Sequence, residues 1–156
     1  MNSRKLAVLL ATWGGTGYFP AAPGTAGSLA ALLMAYGIVN ALHAPPVWLA
    51  VMAAVLCWPA SQAAGQAAAH FGRVDPPQVV VDEVIGQWLA LAAARPDNAI
   101  DWLAAFLLFR LLDILKPFPI RRLERLPGGV GVVADDAAAG LCAMMILLGL
   151  RWLSLW

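Results

Sequence analysis

Residues 24–42 read GTAGSLAALLMAYGIVNAL, an apolar run without a charged side chain, and this run decides the fold class. An α-helix rises about 1.5 Å per residue, so the run is long enough to cross about 30 Å of hydrocarbon. A second uncharged run covers residues 46–70, in which Pro59 is expected to kink the helix. A further apolar run covers residues 132–156. The pattern predicts a chain that crosses a membrane more than once.

The composition indicates the same class. Of the 156 residues, 62% are hydrophobic and 12% are charged, and the mean hydropathy is +0.75, whereas soluble domains carry about 25% charged residues. A small soluble helical protein is the alternative, but so short a chain has too much surface for so few polar residues to cover. The length favours one domain over residues 1–156. A net charge of +1 creates no broad field for nucleic acid, so no nucleic-acid partner is expected.

The region of residues 79–118 is divided by RPDN at residues 95–98, which predicts two shorter helices over residues 82–94 and 100–115. Alanine, leucine and methionine favour helix, and strand-like alternation is scarce. We therefore expect an all-α, multihelical integral membrane bundle with a polar active site near the membrane interface. Arg95 marks either the far side of the membrane or the tip of a short helical hairpin. Positive-inside bias places the other basic residues that lie before and between the runs in the cytoplasm. These are Arg4, Lys5, Arg73, Arg121, Arg122 and Arg125.

Five acidic residues lie inside or beside the apolar runs: Asp82 and Glu83 in VVVDEVIGQW, Asp113 in LLDILK, and Asp135 and Asp136 in VVADDAAAG. An Asp at the centre of a bilayer costs about 2.5 to 3.5 kcal/mol. The acids must therefore lie near the interface, be paired with cations, or be neutralised by a metal ion. Oxygen ligands of this kind suit Mg²⁺ or Mn²⁺ better than zinc. The alternative is that they cap helices or pair with arginines.

Glycines accompany two of these acidic motifs. Gly86 shares a helix face with Glu83, and Gly140 shares one with Asp136. Each glycine could let another helix or a ligand approach closely.

Arg110, Asp113 and Lys116 are spaced three apart and form one polar stripe on a helix that Pro117 should end. Arginine binds phosphate through a bidentate fork and lysine binds it as a point charge. The stripe therefore indicates a phosphate site. The alternative is a salt bridge at the membrane edge, with Lys116 extending to the surface.

The stretch GTGYFPAAPGTAGSLAALL, residues 15–33, crowds glycine and proline before the first apolar helix. Thr25 and Ser28 lie three apart, and Thr25 is a candidate N-cap. Backbone N–H groups at such a helix start can also bind a phosphate. The pattern is not that of a nucleotide-binding loop.

Two other phosphatase chemistries are absent from the sequence. Cys142 has no arginine six residues later, and no DxDx[TV] motif occurs. Metal-activated water is therefore the expected nucleophile.

Four stretches, taken in order, resemble the phosphatidylglycerophosphatase A family: GTGYFPAAPGTAGSLAAL, DPPQVVVDEVIGQW, FRLLDILKPFPIRRLER and GGVGVVADDAAAG. The resemblance implies an enzyme of the bacterial inner membrane that requires Mg²⁺. From the apolar runs and the basic residues we expect a multi-pass protein whose active site faces the cytoplasm. Its implied reaction converts phosphatidylglycerophosphate and water to phosphatidylglycerol and phosphate. The positions that match the family's polar residues are Thr25, Ser28, Asp82, Glu83, Arg110, Asp113, Lys116, Asp135 and Asp136.

The expected roles follow from this resemblance and from the chemistry of the side chains. The metal ligands are Asp82, Glu83, Asp135 and Asp136. The substrate-binding residues are Thr25, Ser28, Arg110 and Lys116. Arg110 and Lys116 also act in catalysis by neutralising the phosphoryl oxygens, while Asp113 orients one of them or serves as the base.

The sequence alone raises three rival functions. A small transporter would use the acids as a cation path. A non-catalytic assembly subunit would use them to join helices. A CDP-alcohol phosphotransferase would need a D-G-x-x-A-R motif, which the sequence lacks.

Overall fold

The computed structural model describes residues 3–153, which form seven α-helices, one short 3₁₀ helix and no β-strand. The helices are α1 (Ser3–Ala11), α2 (Pro23–Ala41), α3 (Val47–Phe71), α4 (Val81–Leu91), α5 (Ala99–Leu115), α6 (Ile120–Leu123) and α7 (Gly129–Trp152). The 3₁₀ helix covers Thr16–Tyr18. The predicted all-α bundle is confirmed.

Within residues 3–153, α2, α3 and α7 are each long and apolar enough to cross a membrane. Their bounds lie within three residues of the predicted runs, except that residues 154–156 of the last run are outside the described part of the chain. Pro59 lies inside α3. The two shorter helices predicted on either side of RPDN correspond to α4 and α5.

Helix α4 is the centre of the bundle. All eleven of its residues are buried, and it packs against α2, α3, α5 and α7. At about 1.5 Å per residue it is only about 16 Å long, too short to cross a membrane by itself. Because α4 is surrounded by longer helices, the acids in its first turn, Asp82 and Glu83, are held inside the protein.

The starts and ends of α2 and α5 follow from local sequence. Helix α2 begins at Pro23, whose fixed φ suits the first helical position. Its N-cap is therefore Ala22, and the expectation that Thr25 caps this helix is wrong. Helix α5 is capped by the Asn98 side chain, which accepts from two backbone N–H groups. As predicted, α5 ends before Pro117, with Lys116 in the left-handed conformation at φ 43°.

The N-terminal segment, α1 and the turn after it, is pinned to the beginning of α4. Val80 N donates to the carbonyl oxygen of Ala11 over 2.9 Å. A Cβ on Gly17 would lie 2.0 Å from the carbonyl oxygen of Gln78, so glycine is required for this approach. The sequence did not predict α1 as a helix.

One ion-pair cluster lies at the opposite end of the bundle from the start of α4. Asp101 is fully buried and accepts hydrogen bonds from the backbone and the guanidinium of Arg95, each over 2.8 Å. Arg151, in the last turn of α7, also pairs with Asp101. Arg95 thus lies both at the tip of the α4–α5 hairpin and at the far end of the bundle.

Candidate active site

Four helices bring polar side chains to one end of the bundle. The first turns of α2 and α4, the last turns of α5 and the N-terminal half of α7 meet there, because α5 runs antiparallel to the other three. All nine predicted site residues lie at this end, and seven of them are hydrogen-bonded or ion-paired with another member. The buried members are Ser28, Asp82, Glu83, Asp113, Asp135 and Asp136.

Arg110 is the centre of one half of the site. Its Nη1 donates to Glu83 Oε2, lies 2.9 Å from Asp113 Oδ2 and donates to Ser28 Oγ over 3.3 Å. Ser28 Oγ is also 2.9 Å from Glu83 Oε2. The guanidinium is therefore fixed by two carboxylates and a hydroxyl. In the described part of the chain Asp113 is ion-paired with Arg110 and not with Lys116, so of the two cations Arg110 is the one that it is placed to orient.

Close packing of α2 on α4 makes this arrangement possible. A Cβ on Gly24 would lie 2.0 Å from Glu83 Oε1. Any side chain at this position would displace the Glu83 carboxylate from Arg110. Gly24 thus makes room for the buried carboxylate of Glu83.

Lys116 is the centre of the other half. Its Nζ donates to Asp135 Oδ2 over 2.5 Å and lies 3.6 Å from Glu124 Oε1. Burial alone would lower the pKa of Lys116, but the hydrogen bond to Asp135 and the neighbouring acids outweigh it and raise the pKa. Lys116 is therefore protonated at neutral pH. The acidic partner of Lys116 is Asp135 of α7. The sequence spacing points instead to Asp113, three residues before Lys116.

Asp136 joins the two halves. Its carboxylate lies within electrostatic reach of Arg110 and Lys116, and also of the acids Asp82, Glu83 and Asp113. Asp82 Oδ1 accepts from the backbone N–H of Glu83 over 3.0 Å. Carboxylates from three helices therefore face a common region.

The acids of α4 and α7 come together because the two helices touch at glycine. A Cβ on Gly140 would lie 2.2 Å from the carbonyl oxygen of Gly86, and a Cβ on Gly86 would lie 2.6 Å from the carbonyl oxygen of Asp136. The expectation that these glycines permit a close approach is confirmed, and the approaching group is the other helix.

The donor set fits a hard divalent cation by its chemistry, since carboxylate oxygens are the preferred ligands of Mg²⁺ and Mn²⁺. The buried Oδ1 of Asp135 has no hydrogen-bond partner, so it is available to a ligand. In the structure, however, two of these acids already have cationic partners: Glu83 is ion-paired with Arg110, and Asp135 is ion-paired with Lys116. Across residues 3–153, no three Asp, Glu, His or Cys side chains are gathered as a ready-made metal site.

Thr25 is the predicted site residue that is not brought to this cluster. It is exposed and lies with Phe19 and Leu29 in an apolar surface groove. Ser28, three residues further on, is fully buried and touches both Arg110 and Glu83. Of this pair, only Ser28 is placed to act in the site.

Two polar residues were missed from the sequence. Asp75, in the loop before α4, interacts electrostatically with Lys116, Asp135 and Asp82. Gln87 lies one turn after Glu83 on α4 and is fully buried, with no partner for either side-chain amide atom. The signal for Gln87 was present, because a glutamine in an otherwise apolar helix core requires a hydrogen-bond partner.

Comparisons with known proteins agree on one family. The family model described as Phosphatidylglycerophosphatase A matches residues 9–151. The chain is 40% identical over 152 residues to phosphatidylglycerophosphatase A of Escherichia coli K12, covering 92% of this chain and 84% of that protein. It is 36% identical over 147 residues to phosphatidylglycerophosphatase A of Haemophilus influenzae, covering 92% of this chain and 88% of the other.

A third relative carries a different substrate in its name. A Bacteroides thetaiotaomicron protein, provisionally named a phosphatidylinositol-3-phosphatase, is 37% identical over 151 residues, with 94% of both chains covered. No solved structure matches the chain. All three names describe phosphatases that act on a lipid phosphate monoester. With the family model matching nearly the whole chain, these relatives show that the protein is a phosphatase of the phosphatidylglycerophosphatase A family.

Proposed function

We propose that the protein hydrolyses phosphatidylglycerophosphate to phosphatidylglycerol and phosphate, uses Mg²⁺, and does so at the cytoplasmic face of a bacterial inner membrane. The observation that carries the proposal is the convergence of Arg110, Lys116 and the buried acids at one end of an apolar bundle. The substrate named for the Escherichia coli and Haemophilus influenzae relatives supports the choice of lipid.

The distribution of basic residues supports a cytoplasmic site. Arg73 follows α3, and Arg121, Arg122 and Arg125 lie between α5 and α7, all at the site end of the bundle. At the far end, Arg95 and Arg151 both pair with Asp101, which leaves one positive charge in that cluster. Unpaired positive charge thus favours the side that carries the site, as the positive-inside rule requires of cytoplasmic segments.

Binding of the substrate's terminal phosphate requires cations at the site. Arg110 presents a planar fork and Lys116 a compact charge, and both are at present satisfied by carboxylates. The phosphoryl oxygens would replace Glu83 and Asp135 as their partners. This exchange keeps Arg110 and Lys116 paired, but it leaves the buried carboxylates of Glu83 and Asp135 in need of another cation.

The same exchange would free carboxylates for a metal. Asp82, Glu83, Asp135 and Asp136 would hold Mg²⁺. When bound, the ion polarises the phosphoryl group and lowers the pKa of an attacking water. The unpartnered Oδ1 of Asp135 and the shared region around Asp136 support this assignment.

The chain's own residues then perform the rest of the reaction. Arg110 and Lys116 stabilise the negative charge that shifts onto the oxygens as the phosphorus–oxygen bond to glycerol breaks. Asp113 holds Arg110 in position and is the candidate base for the proton of the attacking water. Ser28 fixes Glu83 and Arg110 relative to one another.

The lipid can reach the site from the bilayer. Large apolar side chains are exposed along α2, α3 and α7, including Leu33, Trp58 and Met145. These surfaces suit lipid tails as their solvent. The acyl chains would stay in the membrane while the headgroup enters the polar end.

The rival function, a cation path through the membrane, is less well supported. In the described residues the buried acids form two groups, one at the site end and Asp101 at the far end. Asp101 is paired with both Arg95 and Arg151. A path needs a chain of polar groups between the two ends, whereas the middle of α4 offers a single one, Gln87, among Ile85, Trp88 and Leu89.

The test is hydrolysis by the purified protein in detergent micelles with Mg²⁺. Phosphate release is compared for phosphatidylglycerophosphate, phosphatidylinositol 3-phosphate and the soluble ester glycerol 3-phosphate, with Arg110→Ala as the inactive control. The proposal predicts the highest kcat/KM for phosphatidylglycerophosphate. A higher kcat/KM for phosphatidylinositol 3-phosphate would identify that lipid as the substrate instead. Absence of phosphate release from all three compounds would contradict the proposal.

A further inference from the structure

A surface cavity lies outside the active site, between α1, the turn that follows α1 and the end of α3. Its volume is about 470 Å³. Its lining is Arg4, Lys5, Val8, Leu9, Thr12, Gly15, Tyr18 and His70. None of these residues contributes to the cluster around Arg110 and Lys116. We call this space the N-terminal cavity.

The polar side of the N-terminal cavity is positively charged. Arg4, Lys5 and His70 line it, and no acidic residue does. Among the described residues, neither Arg4 nor Lys5 takes part in an ion pair, in contrast to Arg95, Arg110 and Lys116. The cavity therefore attracts an anion, and no carboxylate of the protein supplies one.

The other side of the N-terminal cavity is apolar. Val8 and Leu9 form part of the wall, and Leu9 remains 48% exposed. Tyr18 contributes its ring, packed edge-on against Phe71 with centroids 6.4 Å apart. A free phosphate ion would use the cations but would leave this apolar wall uncovered.

The position of the cavity along the bundle follows from the residues next to it. His70 lies in the last turn of α3, one and a half turns beyond Gly65, and Gly65 packs against Gly129 at the start of α7. The N-terminal cavity therefore opens at the same end as the active site. Basic side chains at this end of the bundle, next to the apolar wall of the cavity, fit an anionic phospholipid.

We propose that the N-terminal cavity binds one anionic phospholipid of the leaflet that the active site faces. Its phosphodiester lies on Arg4, Lys5 and His70, and the beginning of one acyl chain lies along Val8 and Leu9. A zwitterionic lipid binds less tightly, because its own ammonium group offsets the attraction. The proposal stands independently of the lipid that the enzyme hydrolyses.

The test is native mass spectrometry of the full chain released from detergent micelles, with added dioleoyl-phosphatidylglycerol or dioleoyl-phosphatidylcholine. We expect one retained phosphatidylglycerol and much weaker retention of phosphatidylcholine. Arg4→Gln combined with Lys5→Gln should weaken phosphatidylglycerol retention by about 30-fold, given the contribution of each basic residue near an anionic surface. His70→Gln should weaken it less. The matched control is Arg121→Gln combined with Arg122→Gln, which removes the same charge from exposed positions at the same end.

Three outcomes would overturn the proposal. One is equal retention of the two lipids, and another is unchanged phosphatidylglycerol retention in both the double variant and His70→Gln. The third is loss of the bound lipid in Arg110→Gln but not in the double variant, which would place the lipid in the active site. Arg4 and Lys5 are exposed on α1, so an unchanged melting temperature should show that the double variant folds.

Discussion

The close contact of α4 and α7 gives the sharpest structural prediction, the effect of Gly140→Ala. The new methyl group would lie 2.2 Å from the carbonyl oxygen of Gly86 and 2.8 Å from its Cα. Since both atoms belong to helix backbone, neither can move alone, and the helices must separate by about 1 Å to restore ordinary contact. Overpacking of this kind destabilises a protein by about 1 to 3 kcal/mol.

The separation should affect catalysis more than stability. Asp82 precedes Gly86 by four residues and Asp136 precedes Gly140 by four, so each acid lies one turn from the contact on the same face. Displacement of catalytic groups by about 1 Å can lower a rate by about 100-fold. We therefore expect Gly140→Ala to lower kcat by about two orders of magnitude while the protein still folds.

The assay measures phosphate release from phosphatidylglycerophosphate and the melting temperature of the same preparation. Gly149→Ala is the matched control, because it lies on the same helix and a Cβ there meets nothing within 4 Å. The control should keep full activity. Normal activity in Gly140→Ala would refute the reasoning, since it would mean that the separation of α4 and α7 does not set the geometry of the acids.

Three further predictions concern charged residues. Glu83→Gln and Asp136→Asn should each lower kcat by at least about 100-fold in the phosphate-release assay, as expected for the loss of a major electrostatic contribution; near-normal activity in either would remove that residue from the essential set. Lys116→Met should lower both activity and melting temperature, because it leaves the buried carboxylate of Asp135 unpaired. Lys116→Arg should restore the melting temperature. Equal melting temperatures for Lys116→Met and the wild type would contradict the pairing of Lys116 with Asp135. Asp101→Asn should lower the free energy of unfolding by about 3 kcal/mol and leave kcat unchanged, since Asp101 lies at the far end of the bundle; a loss of kcat at full stability would contradict its purely structural role.

Helices α2 and α3 could be predicted because their apolar runs are long, uncharged and bounded by proline or glycine. The bounds of α2, α3 and α5 differ from the predicted ones by at most one residue. Helix α1 was not predicted, since its apolar run is short and is stabilised by contacts far along the chain, such as the hydrogen bond from Val80 to Ala11. The capping role expected of Thr25 failed because Pro23 already starts the helix.

In the candidate site, contacts within one helix could be predicted from the sequence, whereas contacts between helices could not. Helical spacing places Arg110 and Asp113 on one face, and the structure confirms their contact at 2.9 Å. The pairing of Lys116 with Asp135 depends on how α5 packs on α7, which no local pattern encodes. The cluster of Asp101, Arg95 and Arg151 joins residues up to 50 positions apart and was likewise not predictable.

The central claim is that the acids at the site end hold a divalent cation that the reaction requires. The most direct test measures phosphate release from phosphatidylglycerophosphate in Mg²⁺, then in excess chelator, then after Mg²⁺ is restored. We predict that the rate falls by at least about 100-fold with chelator and recovers with Mg²⁺. Equal rates in Mg²⁺ and in chelator would contradict the claim, and the acids would then serve only to position Arg110 and Lys116.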